Sequence, residues 1–115
     1  MNLQLLSMDD VTVVELSGNV DTYTSPQVRQ ALDNVINRQS AHLVVDLNQV
    51  TFMDSSALAV LVQGMKKCRE RGGDLRLCGP QKPVRMILEL TRLDQALEIY
   101  VQRAEAVYSF ARVSA

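Results

Sequence analysis

Asp54, Ser55 and Ser56 put one carboxylate and two hydroxyls in consecutive positions, between an extended apolar run and the start of an apolar pattern with helical spacing. Such side chains accept hydrogen bonds from the unpaired N–H groups at the start of a helix, an end that also carries partial positive charge. Two chemistries are open to these residue types. In the structural one, Asp54 is an N-cap followed by two polar first-turn residues. In the other, a serine hydroxyl exposed at a helix start accepts a phosphate, which that end tolerates electrostatically.

No enzyme can be assembled from the remaining side chains. The lone histidine, His42, precedes the extended run that Ser55 follows, so a Ser–His pair would be split between opposite edges of a sheet. Cys68 and Cys78 have neither metal-ligand spacing nor a disulfide framework and read as small buried apolar groups. Gly72-Gly73 follows a helix instead of opening one, so it is no phosphate loop. Glu15, Asp21, Asp33, Asp46 and Asp54 show no spacing that makes an acid/base pair.

Periodicity identifies the elements that must position the turn. Leu3–Met8 and Val11–Leu16 read as two strands joined at Asp9-Asp10, an antiparallel hairpin. The second is apolar on both alternating faces apart from Glu15, which predicts a sheet covered on both sides. Gly18-Asn-Val-Asp21 reads as a loop, and Ser25-Pro26 as a helix start with Ser25 the cap. Val28, Leu32, Val35 and Ile36 make the apolar stripe of that helix. Leu43–Leu47 is a buried parallel strand, Asn48–Val50 a turn, and Ser55 to about Arg71 a second helix closed by Gly72-Gly73. Lys66, Lys67, Arg69 and Arg71 gather at its end as a solvated cationic terminus. Leu75–Cys78 is a strand, 79–83 a loop, and a short helix begins near Val84. Leu97, Ile99 and Val101 alternate as a last strand. Ala104, Val107, Tyr108 and Ala111 form the stripe of a final helix. The order β-β-α-β-α-β-α-β-α predicts an α/β fold of four to five strands, the first antiparallel, with about four helices. The turn at Asp54 then lies at the carboxyl edge of the sheet, where α/β proteins place their sites.

The chain has 115 residues, enough for a single domain with a real core. A net charge of −1 and 4% aromatic content without tryptophan leave no footprint for direct nucleic-acid binding. The first ten residues lack the pattern of a secretory signal, and no run approaches the roughly 18 apolar residues of a membrane span, so the expected location is cytoplasmic.

Phe52-Met-Asp-Ser-Ser-Ala-Leu-Ala-Val60 resembles the signature of the STAS domain family, especially the bacterial anti-sigma-factor antagonists, whose turn reads Met-Asp-Ser-Ser/Thr/Ala-Gly-Leu-Gly. Gly18-Asn-Val-Asp21 is similar to the family's Gly-Glu-Leu-Asp loop, Leu43–Leu47 to its central strand, and Gly72-Gly73 with Leu75–Leu77 to its Gly-Gly turn and following strand. Val84 to Asp94 resembles its third helix and the segment after it. The resemblance implies one STAS domain over 1–115 and a protein that is not an enzyme and needs no cofactor or metal. It implies binding to an anti-sigma factor that is also a serine kinase, release when that kinase phosphorylates the serine after the turn aspartate, and reversal by a serine phosphatase. By position the acceptor is Ser55, and the partner surface comprises Asp21, Asp54, Ser55, Ser56 and Ala57. Ala57 and Ala59 stand where the family has glycine, adding two methyls in the path of an approaching kinase, and Asn19 replaces an acid. The alternative is an unphosphorylated STAS subunit of a transporter or signalling complex, some of which are suspected of binding nucleotides.

Overall fold

A computed structural model describes residues 1–111. Its strands are β1 (Asn2–Met8), β2 (Val11–Val20), β3 (His42–Met53), β4 (Asp74–Cys78) and β5 (Ile99–Tyr100). They lie in one sheet in chain order; β1 is antiparallel to β2 and every other pair is parallel. The helices are α1 (Ser25–Arg38), α2 (Ser55–Glu70), α3 (Lys82–Leu90) and α4 (Arg103–Ala111), with a 3₁₀ turn at Leu93–Gln95. This is the predicted α/β architecture, first strand antiparallel.

The apolar spacing accounts for the layers. Val28, Leu32, Val35 and Ile36 of α1 are all buried, as are Leu58, Leu61, Met65 and Cys68 of α2. With Val84 and Leu88 of α3 they cover one sheet face, against Val14, Leu16, Leu43, Val45, Leu47 and Val50. The other face carries a smaller core: Val11, Val13, Val44 and Cys78 beneath Ala106 and Val107 of α4. The two-sided apolar pattern of β2 therefore meets helices on both sides, as expected. Burial pushes both thiols, Cys68 and Cys78, up to about 12, so each stays a neutral, unreactive side chain in the folded protein.

Several expectations need correcting, among them the last strand, which is only Ile99–Tyr100 and includes neither Leu97 nor Val101. β2 continues through Gly18 to Val20, and β3 runs through Asn48 to Met53; neither segment is a loop. Each is ordered by the other: Gly18 pairs with Val50, Asn19 with Phe52 and Val20 with Met53, across bulges at which the register shifts. Hydrogen bonds between segments some 30 residues apart outweigh the local turn preference of Gly and Asn. Ser25 is not the cap of α1. It is the first helical residue, Thr24 precedes it without a side-chain cap bond, and Asp21 instead accepts from the backbone N–H groups of Tyr23 and Thr24 at 2.9 and 3.1 Å.

The buried face of α4 is Ala106, Val107 and Ser109; Ala104 and Tyr108 of the expected stripe are exposed. Long-range bonds set that rotation. Arg103 pairs with Glu15 and Asp46, and Phe110 lies between His42, stacked at 5.0 Å, and the Arg76 guanidinium, 4.1 Å from the ring centre. The cationic end of α2 is bonded within the molecule. Lys67 reaches Asp33 at 2.7 Å, Arg69 reaches Asp74 at 2.9 Å, and Arg71 donates to the Ile36 carbonyl at 3.1 Å.

Helix α2 ends in a pair of bonds that an αL residue makes possible. Gly72, at φ +80, sits in the left-handed region; its N–H donates to Arg69 and that of Gly73 to Cys68, at 3.1 and 2.8 Å. The chain then passes directly into β4, and Asp74 N–H donates to the Ala41 carbonyl at 3.0 Å.

Candidate functional site

Pairing of β3 with β4 stops at Asp46 opposite Cys78; β3 runs on paired with β2 along its other side, and those two strands end together. The turn into α2 and the loop into α1 leave from these adjacent strand ends. The Asp54 N–H donates to the Val20 carbonyl at 3.3 Å, closing the last rung.

Asp54 organises both the turn and the neighbouring loop. It is extended, at φ −110 and ψ −173, and caps α2 by accepting from the N–H groups of Ser56 and Ala57 at 3.0 and 3.2 Å. Its Oδ1 also accepts the Ser56 hydroxyl at 2.5 Å. Its other oxygen, Oδ2, accepts the backbone N–H and the hydroxyl of Thr22 at 3.1 and 3.3 Å, tying the β2–α1 loop to the start of α2. The Ser56 hydroxyl bond holds this carboxyl below the usual aspartate range; desolvation opposes it, and the N–H groups of Ala57, Ser56 and Thr22 reinforce it.

A depressed carboxyl stabilises the fold above the ordinary aspartate value near 3.8, and that contribution disappears as pH falls through the folded value. Asp54→Ala is therefore expected to melt lower than wild type near pH 7. The gap should narrow as pH falls below about 3.8 and close only below the folded value, where the carboxyl is protonated in both states. A gap of constant size in a melting series by circular dichroism would contradict this.

The two serines of the turn are not equivalent. Ser56 is half-buried: its hydroxyl donates to Asp54 and accepts from that of Ser25 at 3.3 Å, and Ser25 is itself buried. Ser55 is exposed, and its hydroxyl takes part in none of these bonds. Two of the N–H groups that a helix start offers an anion are already occupied by Asp54. An added phosphate on Ser55 would therefore meet a carboxylate behind it and solvent, or a partner, in front.

Asp21, Asp54, Ser55 and Ser56 are thus brought to one sheet edge. Ala57 is not on that surface. Its side chain is 1% exposed and belongs to the core, because its Cβ lies on the stripe that faces the sheet. Of the two alanines at family glycine positions, only Ala59 is exposed, so one methyl and not two faces an approaching protein. His42 begins β3 and Ser55 follows its end, roughly 35 Å away at the rise of a strand, so no Ser–His pair forms.

The structure adds residues that sequence reasoning missed. Thr22 links the two loops through Asp54. Tyr23, 91% exposed, and Phe52, 48% exposed, present aromatic rings on the neighbouring loop and strand end. Alternation from buried Val50 would have placed Phe52 on the buried face; the pattern breaks at the bulge where the pairing of β3 with β2 shifts register, so the sequence did not flag this ring. Nothing local marks Tyr23. Exposed aromatic rings beside a polar centre are the composition of a protein-binding surface.

A family model described as STAS domain matches residues 2–106. The chain is 36% identical to an anti-sigma F factor antagonist of Paenibacillus polymyxa, over 99% of this chain and 100% of that one. It is 34% identical to an anti-sigma-B factor antagonist of Listeria monocytogenes, over 73% of this chain and 74% of that one. Among solved structures it is similar to an anti-sigma factor antagonist from Mycobacterium paratuberculosis, with TM-score 0.85, 28% identity, and coverage of 94% and 92% of the two chains.

Proposed function

The chain belongs to the STAS domain family, and from that membership we propose that it is an anti-sigma-factor antagonist, a binding protein and not a catalyst, whose partner choice is set by phosphate on Ser55. In this reading the unmodified protein binds, in the cytoplasm, an anti-sigma factor that is also a serine kinase, and so frees a sigma factor. That kinase transfers the terminal phosphoryl group of ATP to the Ser55 oxygen. The hydroxyl proton passes to a base of the kinase, ADP leaves, and the modified protein is released. A serine phosphatase hydrolyses the phosphate ester and restores binding.

The observation that carries the reading is the contrast between the serines: Ser55 is exposed outside the hydrogen-bond network, and Ser56 is engaged within it. The similarity to relatives named antagonists supports the partner class. The partner surface comprises Asp21, Asp54, Ser55 and Ser56, widened by Thr22, Tyr23 and Phe52. Incubation with the cognate kinase and ATP, followed by mass spectrometry, is expected to place a single phosphate on Ser55 and none on the Ser55→Ala variant. Phosphate on Ser56, or none on the wild type, would defeat the assignment.

A further inference from the structure

Strand β1 is the outermost strand of the sheet and, among the described residues, pairs only with β2. Its outer side presents unpaired backbone N–H and C=O groups. Sheet edges of this kind are normally blunted by charge, proline, a bulge or shortness. β1 has none of these: its seven residues, Asn-Leu-Gln-Leu-Leu-Ser-Met, are uncharged, lack proline and pair with β2 without a register shift. The opposite edge, β5, has only two residues and is protected by its length.

The side chains on β1 lead the same way. Leu5, beside Val14, is 43% exposed; on the other face Leu6 and Met8, beside Val13 and Val11, are 36% and 38% exposed. Both apolar cores therefore run out to this edge. Its complement is an extended, uncharged segment of equal length with apolar side chains on both faces, and β1 itself has that composition. A two-fold axis at the strand midpoint, Leu5, overlaps all seven residues and sets Leu5 on Leu5. A net charge of −1 adds little long-range repulsion between copies.

We propose that the protein dimerises through antiparallel pairing of β1 with β1 of a second copy, giving one sheet continuous across both. β2 separates β1 from β3, so the Ser55 turns of both copies stay open; the inference does not rest on the role of Ser55. Analytical ultracentrifugation of the full chain from micromolar to millimolar protein is expected to show a reversible monomer–dimer equilibrium. Leu5→Lys and Leu5→Glu should each raise its dissociation constant about tenfold or more by facing like charges across the axis. An equimolar mixture of the two variants should restore association. Hydrogen exchange of the wild type should show β1 amide protection that rises with concentration. A wild type monomeric throughout, association unchanged in both variants, or β1 protection independent of concentration would overturn the proposal.

Discussion

Ser55→Asp is expected to weaken binding to the anti-sigma factor at least about a hundredfold while leaving the melting temperature within a few degrees of wild type. A hundredfold corresponds to about 2.7 kcal/mol. An unpaired charge desolvated in a protein–protein interface costs several kcal/mol, so one carboxylate suffices and a phosphate of about −1.5 to −2 charges more than suffices. The fold should be indifferent because the Ser55 side chain is exposed and supports none of the bonds at the turn. The positive end of α2 offers the new charge little relief, since Asp54 already occupies the N–H groups of Ser56 and Ala57. Ser55→Ala removes only the acceptor oxygen and should bind like unmodified wild type. Titration calorimetry of the three proteins against the anti-sigma factor decides the matter, with melting curves alongside. Equal affinities in folded proteins would remove Ser55 as the switch.

Gly73→Ala is expected to destabilise the fold by roughly 3 kcal/mol, seen as a fall in melting temperature on the order of 10 °C. A methyl at this position would lie 2.1 Å from the Ala41 carbonyl oxygen and 2.6 Å from its carbon. Both are backbone atoms at the entrance to β3, and the same carbonyl accepts the Asp74 N–H. No rotamer change can clear the contact, so either the start of the β3–β4 ladder or the end of α2 must shift. Gly72 is the control. A methyl there meets nothing within 4 Å, but the residue is left-handed, at φ +80. Gly72→Ala should therefore cost only about 1–2 kcal/mol of conformational strain. Chemical denaturation of the two variants separates space from conformation. A Gly72→Ala protein less stable than Gly73→Ala would refute this account.

The order of elements was legible because it depends on local spacing. Val28, Leu32, Val35 and Ile36 are buried at helical period, and Leu43–Leu47 is buried on both faces, as their patterns predicted. The Gly-Gly stop after α2 was equally readable, since glycine tolerates the left-handed cap. Element ends were read less well. Gly18–Val20 and Asn48–Met53 contain turn-favouring residues, and only their pairing with each other makes strands of them. The stripe of α4 was misjudged because Arg103, Phe110 and Ser109 are held by Glu15, Asp46, His42 and Arg76, far away in the chain.

The sequence by itself determined that a carboxylate and two hydroxyls stand where a strand hands over to a helix, because strand and helix periods and capping preferences act over a few neighbouring residues. It could not determine which hydroxyl is free. That was decided by tertiary structure: Ser25, 31 positions upstream, reaches Ser56 through the packing of α1 against α2, and Thr22 closes on Asp54 from 32 positions away. A hydroxyl is available only when no fixed partner lies within hydrogen-bonding distance, and distances between remote segments exist only once the chain has folded.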